Sequence, residues 1–293
     1  MAAEIRFEGT ISILHSVRSR PPVVREAPTT EYVLPAELRD RHAALVVAHP
    51  GHELRVHGWM ELARPVVFVL TDGSGHTRKS RLASTTEVLT KSLAKPGPIY
   101  GRFADVDVYA AILEKDVHFF IELAEELAHI LVSSEIDYVV GDRIEGYNPT
   151  HDICRSVINA AVELAQPDAR HPIATFDFPI MGEPDRSSEA DQDGQLSVHL
   201  DQNAMDRKLS AANSYLELSG HVSTMIKEFG TELIRLENLR PVRSSEAHLG
   251  FQTPPFYEEY GERQVAAGVY DRVIGYRDHM LPLFTALLEH ARR

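Results

Sequence analysis

Three short apolar runs predict an α/β protein with a doubly wound, mostly parallel sheet. AALVVA at Ala43 to Ala48, PVVFVL at Pro65 to Leu70 and DYVV at Asp137 to Val140 are unbroken hydrophobic stretches of strand length, the pattern of strands buried on both faces. Each run is closed by a polar turn, and segments of helix length or helical spacing lie between them. Strands alternating with helices make right-handed βαβ units, whose crossovers place helices on both faces of one sheet.

Taken in order, residues 1–42 precede this core as an N-terminal extension. EIRFEGTISILHS alternates weakly and then breaks at Pro21, Pro22 and Pro35, which predicts a strand or two and an extended wrapping segment. Between the first two strands HELRVHGWMELA has the length of one helix. After a less regular stretch containing Pro96-Gly97-Pro98, Lys115 to Ser133 sets Phe119, Phe120, Leu123, Leu127, Ile130 and Leu131 at helical spacing. A helix from about His151 to Ala165 turns Cys154, Val157, Ile158, Ala161 and Val162 inward, and ATFDFPI, Ala174 to Ile180, is a further strand. The core therefore spans 43–182. Residues 183–293 read as a hairpin and a C-terminal helical elaboration packed on the same domain. In that region 182–194 is a solvent loop at the tip of a hairpin returning along QLSVHLD. A helical pattern runs from Ala204 to about Leu239 with breaks near Gly220 and Gly230, and two further helices fit Tyr257 to Ala267 and Tyr270 to His290.

Composition removes several classes of function. With 43 Asp plus Glu against 30 Lys plus Arg and a formal charge of −13, the chain lacks the clustered cations that a phosphate backbone demands, so no nucleic-acid partner is expected. A single cysteine, Cys154, excludes an internal disulfide and cysteine-rich zinc modules. The first residues lack the basic-then-apolar order of a signal peptide, and no run approaches the roughly 18 apolar residues of a membrane span, so a cytoplasmic protein with no membrane partner is expected. Fifteen histidines stand out, the residue type that most often binds metals and moves protons near neutral pH.

In an open parallel sheet, ligands sit at the carboxyl ends of the strands. The first strand ends in His49-Pro50-Gly51-His52-Glu53, the second in Thr71-Asp72-Gly73-Ser74-Gly75-His76, and the third in a loop from Gly141 to His151. His49 and His52 on one strand-to-helix turn, with His151 opening a later helix, form a workable triad for zinc: neutral imidazoles are good ligands, and three of them leave a position open for water. Such an ion lowers the pKa of bound water and polarises a carbonyl, which is hydrolytic chemistry. Helix capping by His49 and His52 is the plainer use of the same pattern.

ALVVAHPGHE, PVVFVLTDGSG and GYNPTHDICRSVINAAVELA, in this order over residues 43–182, resemble the PIG-L or LmbE-like family of zinc-dependent deacetylases, which act on N-acetylglucosamine conjugates and related amides. A weaker echo lies in Asp206-Arg207-Lys208-Leu209 with Ala211 and Tyr215. The resemblance implies a Rossmann-like core, one divalent metal ion, zinc, and a small-molecule, sugar-containing substrate whose amide or N-acyl bond is cleaved. His49 and His151 match metal ligands, and His52 stands where the family has a ligating Asp. Gly51 occupies the position of the general-base Asp, Asn148 that of a His that supports the tetrahedral intermediate, and Thr150 that of an orienting Asp. Loss of a general base costs about a hundredfold to ten-thousandfold in rate.

Proton transfer would then fall to Glu53, Asp142 or Glu145, although Glu53 also suits a helix cap and the other two suit pairing with Arg143 or solvent. Arg81, Tyr147 and Asn148 are substrate-binding candidates: Arg81, with Arg78 and Lys79, for an anionic part of the substrate, and Tyr147 as a donor to an oxyanion. The alternative is a catalytically degenerate protein that binds metal or a sugar-like ligand without turnover. A third possibility, phosphate binding by Gly73 to Ser80, is weakened because Arg78 stands where a P-loop needs glycine. Oligomeric state is left open.

Overall fold

The computed structural model describes residues 32–75, 78–181, 194–215, 217–218, 230, 232–243, 251 and 254–293. By internal contacts the chain divides into residues 1–30 and 31–293, and every described residue belongs to the second unit. The predicted N-terminal strands, the loop tip at 182–193 and the helix break near Gly220 lie outside the described residues.

Four parallel pairings make the centre of the sheet. Strand β1 (Ala43–Val47) lies between β2 (Val66–Thr71) and β4 (Tyr138–Asp142). β3 (Lys95–Phe103) flanks β2, and β5 (Ala174–Phe178) flanks β4. Two antiparallel strands, β7 (Leu236–Pro241) and then β6 (Leu196–His199), complete a seven-stranded sheet of order β3-β2-β1-β4-β5-β7-β6. The expected parallel set is present.

The two faces of the sheet bury different helices. Ala44 and Val46 of β1, with Phe68 and Leu70 of β2, pack under α3 (Asp105–Glu114), α4 (Val117–Ser133), α5 (Pro149–Ala165) and α8 (Leu281–Ala291). The alternate residues Leu45, Val47, Val67 and Val69 pack under α1 (His57–Ala63), α2 (Leu82–Ser92) and α6 (Gln202–Ser214). That alternation is the period-two geometry of a strand, with both faces covered as in a doubly wound sheet. No described helix is long and apolar enough to cross a membrane.

Several elements differ from expectation. HELRVHGWMELA is not one helix: residues 52–56 form a 3-10 turn and α1 begins at His57. The stretch with Pro96 and Pro98 is strand β3. It lies at the sheet edge, where a missing N–H costs no ladder bond, and its register slips twice against β2. α2 begins directly after the basic trio of Arg78, Lys79 and Arg81, whose plainer use is a solvated helix start, and only α3 has no counterpart in the sequence.

The helical pattern extended to Leu239 stops earlier. LENLRP is β7, where Leu239 and Glu237 turn inward at strand spacing; Leu236 and Leu239 mimic a helical i,i+3 pair. β6 accordingly pairs with β7, not with β5. Near the C-terminus, α7 (Phe256–Ala266) is followed by Gly268 at φ +69, and residues 270–275 are not helical. The last helix opens with a π-type turn at Tyr276–Met280, next to Pro282, which has no N–H for the regular ladder.

Candidate functional site

The chain runs outward from β1 through β2 to β3 and then restarts at β4 on the other side of β1. The crevice between the carboxyl ends of β1 and β4 is therefore the topological switch point of the sheet. His49 and His52 follow β1, and Asp142 ends β4 with His151 at the first turn of α5.

These three histidines come together. Their ring centroids are 5.4 Å apart for His49 and His52, 5.0 Å for His49 and His151, and 4.5 Å for His52 and His151, all in edge-on orientations. Three imidazoles sharing one tetrahedral zinc at nitrogen distances of 2.0–2.1 Å have centroids roughly 5 Å apart. Among the described residues, no group of three or more His, Cys, Asp or Glu side chains qualifies as a metal-holding cluster with the rotamers as they stand. The donor chemistry nonetheless fits. Burial lowers the pKa of His49 and lowers that of His151 well below the ordinary value, and neighbouring His52 and Arg81 act in the same direction. Burial thus favours the neutral ring, which carries a free lone pair, although Asp105 acts the other way on His49.

Which nitrogen carries that lone pair is set from behind. Thr71 Oγ1 donates its only proton to the carbonyl of Ala48 at 3.1 Å, so towards His49 Nδ1, 2.8 Å away, it offers only lone pairs. His49 must then carry its proton on Nδ1 and present a bare Nε2. Asp105 Oδ1, which can only accept, lies 3.0 Å from the same Nδ1 and favours the proton there as well. His52 Nδ1 lies 3.0 Å from both carboxylate oxygens of Asp142, which also accepts the Ala48 N–H at 2.8 Å. Carboxylate and hydroxyl partners of this kind fix ring orientation and tautomer in histidine metal sites. The Nδ1 of His151 is buried and has no partner among the described residues.

The three carboxylates singled out for proton transfer are placed very differently. Asp142 spends both oxygens on His52 and Ala48, so it positions a ring. Glu145 accepts the backbone N–H groups of Ile180 at 2.9 Å and Met181 at 3.1 Å, which ties it to the loop after β5. Its expected pairing with Arg143 is not its main contact. Glu53, fully buried, accepts the Gly51 N–H at 2.7 Å through Oε2, while Oε1 has no hydrogen-bond partner among the described residues. Burial raises its pKa against the lowering effect of Thr85, the local N–H groups and His52.

Asn148 caps α5, accepting the Thr150 N–H at 2.8 Å, and also receives the Tyr109 hydroxyl at 3.4 Å. Its amide oxygen is committed to the helix. Tyr147 is 38 % exposed at the mouth of the site, 6.5 Å from His151 between ring centroids. Arg81, at the start of α2, donates from Nε to Gly73 O at 2.7 Å, so its guanidinium is fixed beside the histidines whose pKa it lowers.

Two features of the site have no sequence motif. Gly51 has φ +107, and a Cβ there would lie 2.3 Å from Leu218 Cδ1 and 3.6 Å from Tyr215. An apolar side chain thus fills the space beside Gly51. Tyr215 is held by Thr85 Oγ1 at 2.8 Å. The frame below the site is polar and fully used. Arg155 donates to the carbonyls of Asp142 and Phe176, and Asp152 accepts the N–H groups of Glu145 and Gly146. Lys208 is structural: it bonds Glu237 at 2.7 Å, and Glu237 in turn accepts Gly58 N and Trp59 N at the start of α1.

No family model and no curated protein matches the chain. Among solved structures it is similar to the A40926 pseudoaglycone deacetylase Dbv21, at 15% identity over 70% of this chain and 98% of that one, with a TM-score of 0.45. It is also similar to a deacetylase of the teicoplanin biosynthesis pathway solved as a deacetylase-bog complex, at 12% identity over 68% of this chain and 97% of that one, TM-score 0.47. The zinc-inhibited form of teicoplanin deacetylase Orf2 is a third such likeness, at 12% identity and a TM-score of 0.45.

Proposed function

We propose that the chain is a zinc-dependent hydrolase that cleaves an amide or N-acyl bond of a polar, sugar-containing small molecule, as a divergent member of the PIG-L or LmbE-like family. The observation that carries this reading is the convergence of His49, His52 and His151 at the switch point, with Nδ1 of the first two pinned from behind and His49 and His151 buried. The motifs in AHPGHE, TDGSG and NPTH support it from the sequence.

His49, His52 and His151 would hold the ion. Zinc held there supplies Lewis acidity and activation of water. Glu53 is the proton-transfer group, because Asp142 and Glu145 spend both oxygens on His52 and backbone N–H groups, whereas Glu53 takes a backbone N–H through Oε2 alone, with Thr85 beside it. Asp142, Thr71 and Asp105 hold the rings in place. Arg81 offers a fixed cation to an anionic or strongly polar part of the substrate, and Tyr147 borders the opening.

One observation favours a second reading, a binding protein that has lost turnover: at Gly51, the family's base position, φ is +107 and the end of Leu218 fills the adjoining space, so a side chain there is strained and must displace it. A single assay separates the two. Protein loaded with zinc is incubated with N-acetylglucosamine and its simple glycosides, and acetate release is measured beside zinc content. The hydrolase reading expects turnover in the wild type, none in Glu53→Gln, and equal zinc in both. A wild type that holds zinc and binds these sugars but releases no acetate supports the second reading and defeats the first.

A further inference from the structure

Beside the histidines runs a row of aromatic rings that the proposed chemistry does not use. Tyr147 neighbours His151, and Phe256 of α7 stacks on Tyr147 at 5.1 Å with planes 4° apart. Tyr260, one turn further along α7, stacks with Phe256 at 5.9 Å and meets Tyr270 edge-on at 6.4 Å. The Arg263 guanidinium lies 5.8 Å from the Phe256 centroid. Large rings are normally turned inward, yet Phe256 is 43 % exposed and Tyr270 44 %, with Val269 beside it at 57 %. Exposed apolar groups gathered in one place mark a binding surface more often than scattered ones do.

The row is fastened to the site. Gly146, at φ +66, brings its loop so close to α7 that a Cβ would stand 2.8 Å from Phe251 and 2.9 Å from Pro255, and Tyr257 N donates to Gly146 O at 3.2 Å. The same loop carries Tyr147 and leads into His151. The platform therefore has a set distance from the reaction centre, as a substrate subsite requires.

We propose that Tyr147, Phe256 and Tyr260 form a subsite for an aromatic ring that the substrate carries beyond the bond to be cleaved. This deepens the hydrolase reading and rests on its placing of the reaction at the histidines. Continuity decides that the occupant belongs to the substrate, since Tyr147 borders both the histidines and the row. Stacking decides its chemistry: the row already lays ring on ring at 5.1 and 5.9 Å, an arrangement that a further aromatic ring extends.

The test compares three probes by titration calorimetry on the full-length protein: p-nitrophenyl N-acetyl-β-glucosaminide, methyl N-acetyl-β-glucosaminide and 4-nitroacetanilide. The aryl glycoside should bind about tenfold more tightly than the methyl glycoside, and Phe256→Ala should bring that preference close to one. Phe256→Leu, which keeps apolar bulk without a ring, should lose most of the preference as well. Failure of the histidine reading looks different: the methyl glycoside then does not bind, while 4-nitroacetanilide still binds and still weakens in Phe256→Ala. Equal affinity for the two glycosides, or a preference that survives Phe256→Ala, overturns the subsite. So does an absence of binding by both aryl probes. A change of oligomeric state in Phe256→Ala with the preference intact also overturns it and assigns the rings to a contact between copies of this chain.

Discussion

His52 Nδ1 lies 3.0 Å from both carboxylate oxygens of Asp142, and one of those oxygens also takes the N–H of Ala48 from the end of β1. One buried carboxylate thus fixes the His52 ring and joins the ends of the two strands that form the crevice. Its role is to orient, which leaves proton transfer to another group.

Asp142→Asn should therefore act on metal affinity before it acts on turnover chemistry. The amide keeps an acceptor for Ala48 but loses the charge behind His52. Zinc affinity should fall about ten- to a hundredfold, the usual effect of removing such a partner, as read by competition with a chromophoric chelator. An unchanged zinc affinity would show that His52 is not a ligand.

His151→Ala tests the third ring. Its Nδ1 is buried without a partner among the described residues, so nothing else holds this ring to its present role. Zinc content, measured by elemental analysis after dialysis, should drop from one equivalent to well below one, with acetate release lost alongside it.

Gly51→Asp should not recover a missing base. At φ +107 any Cβ is strained, and here it also meets Leu218 Cδ1 at 2.3 Å. We expect a loss of about 1–3 kcal/mol in urea unfolding and no gain in hydrolysis. Gly51→Asp combined with Leu218→Ala should regain part of the stability, because the far end of Leu218 is the steric half of the problem. A single Gly51→Asp variant as stable as the wild type would contradict the placing of Leu218.

Glu237→Ala should be far more damaging than its distance from the histidines suggests. It leaves the buried ammonium of Lys208 without its counter-charge, on the carbonyls of Arg55 and Ile234 alone, and strands the N–H groups of Gly58 and Trp59. Breaking a buried pair from one side costs about 3–5 kcal/mol, visible in denaturant titration. Lys208→Met in the Glu237→Gln background should cost less than Glu237→Ala alone, since no charge is then left unpaired.

The local sequence determined those features whose cause is local. AALVV and VVFVLT must be strands buried on both faces, the spacing of Phe120, Leu123, Leu127 and Leu131 must be a helix with one buried side, and polar turns after buried parallel strands must lie at one rim. Those facts alone place His49, His52 and His151 at one rim of the sheet. Tertiary structure decided the rest. KPGPIYGRF is a strand only because it lies at the edge, where prolines break no ladder, and LENLRP is a strand only because β5 and β6 are there to pair with it. Asp105 reaches His49, Leu218 fills the space beside Gly51, and Phe256 stacks on Tyr147 across long stretches of chain. No period or motif encodes such contacts. A residue's periodicity reports which face it turns to the core, whereas the partner it meets there depends on how whole elements pack, and that free energy is shared among all of them.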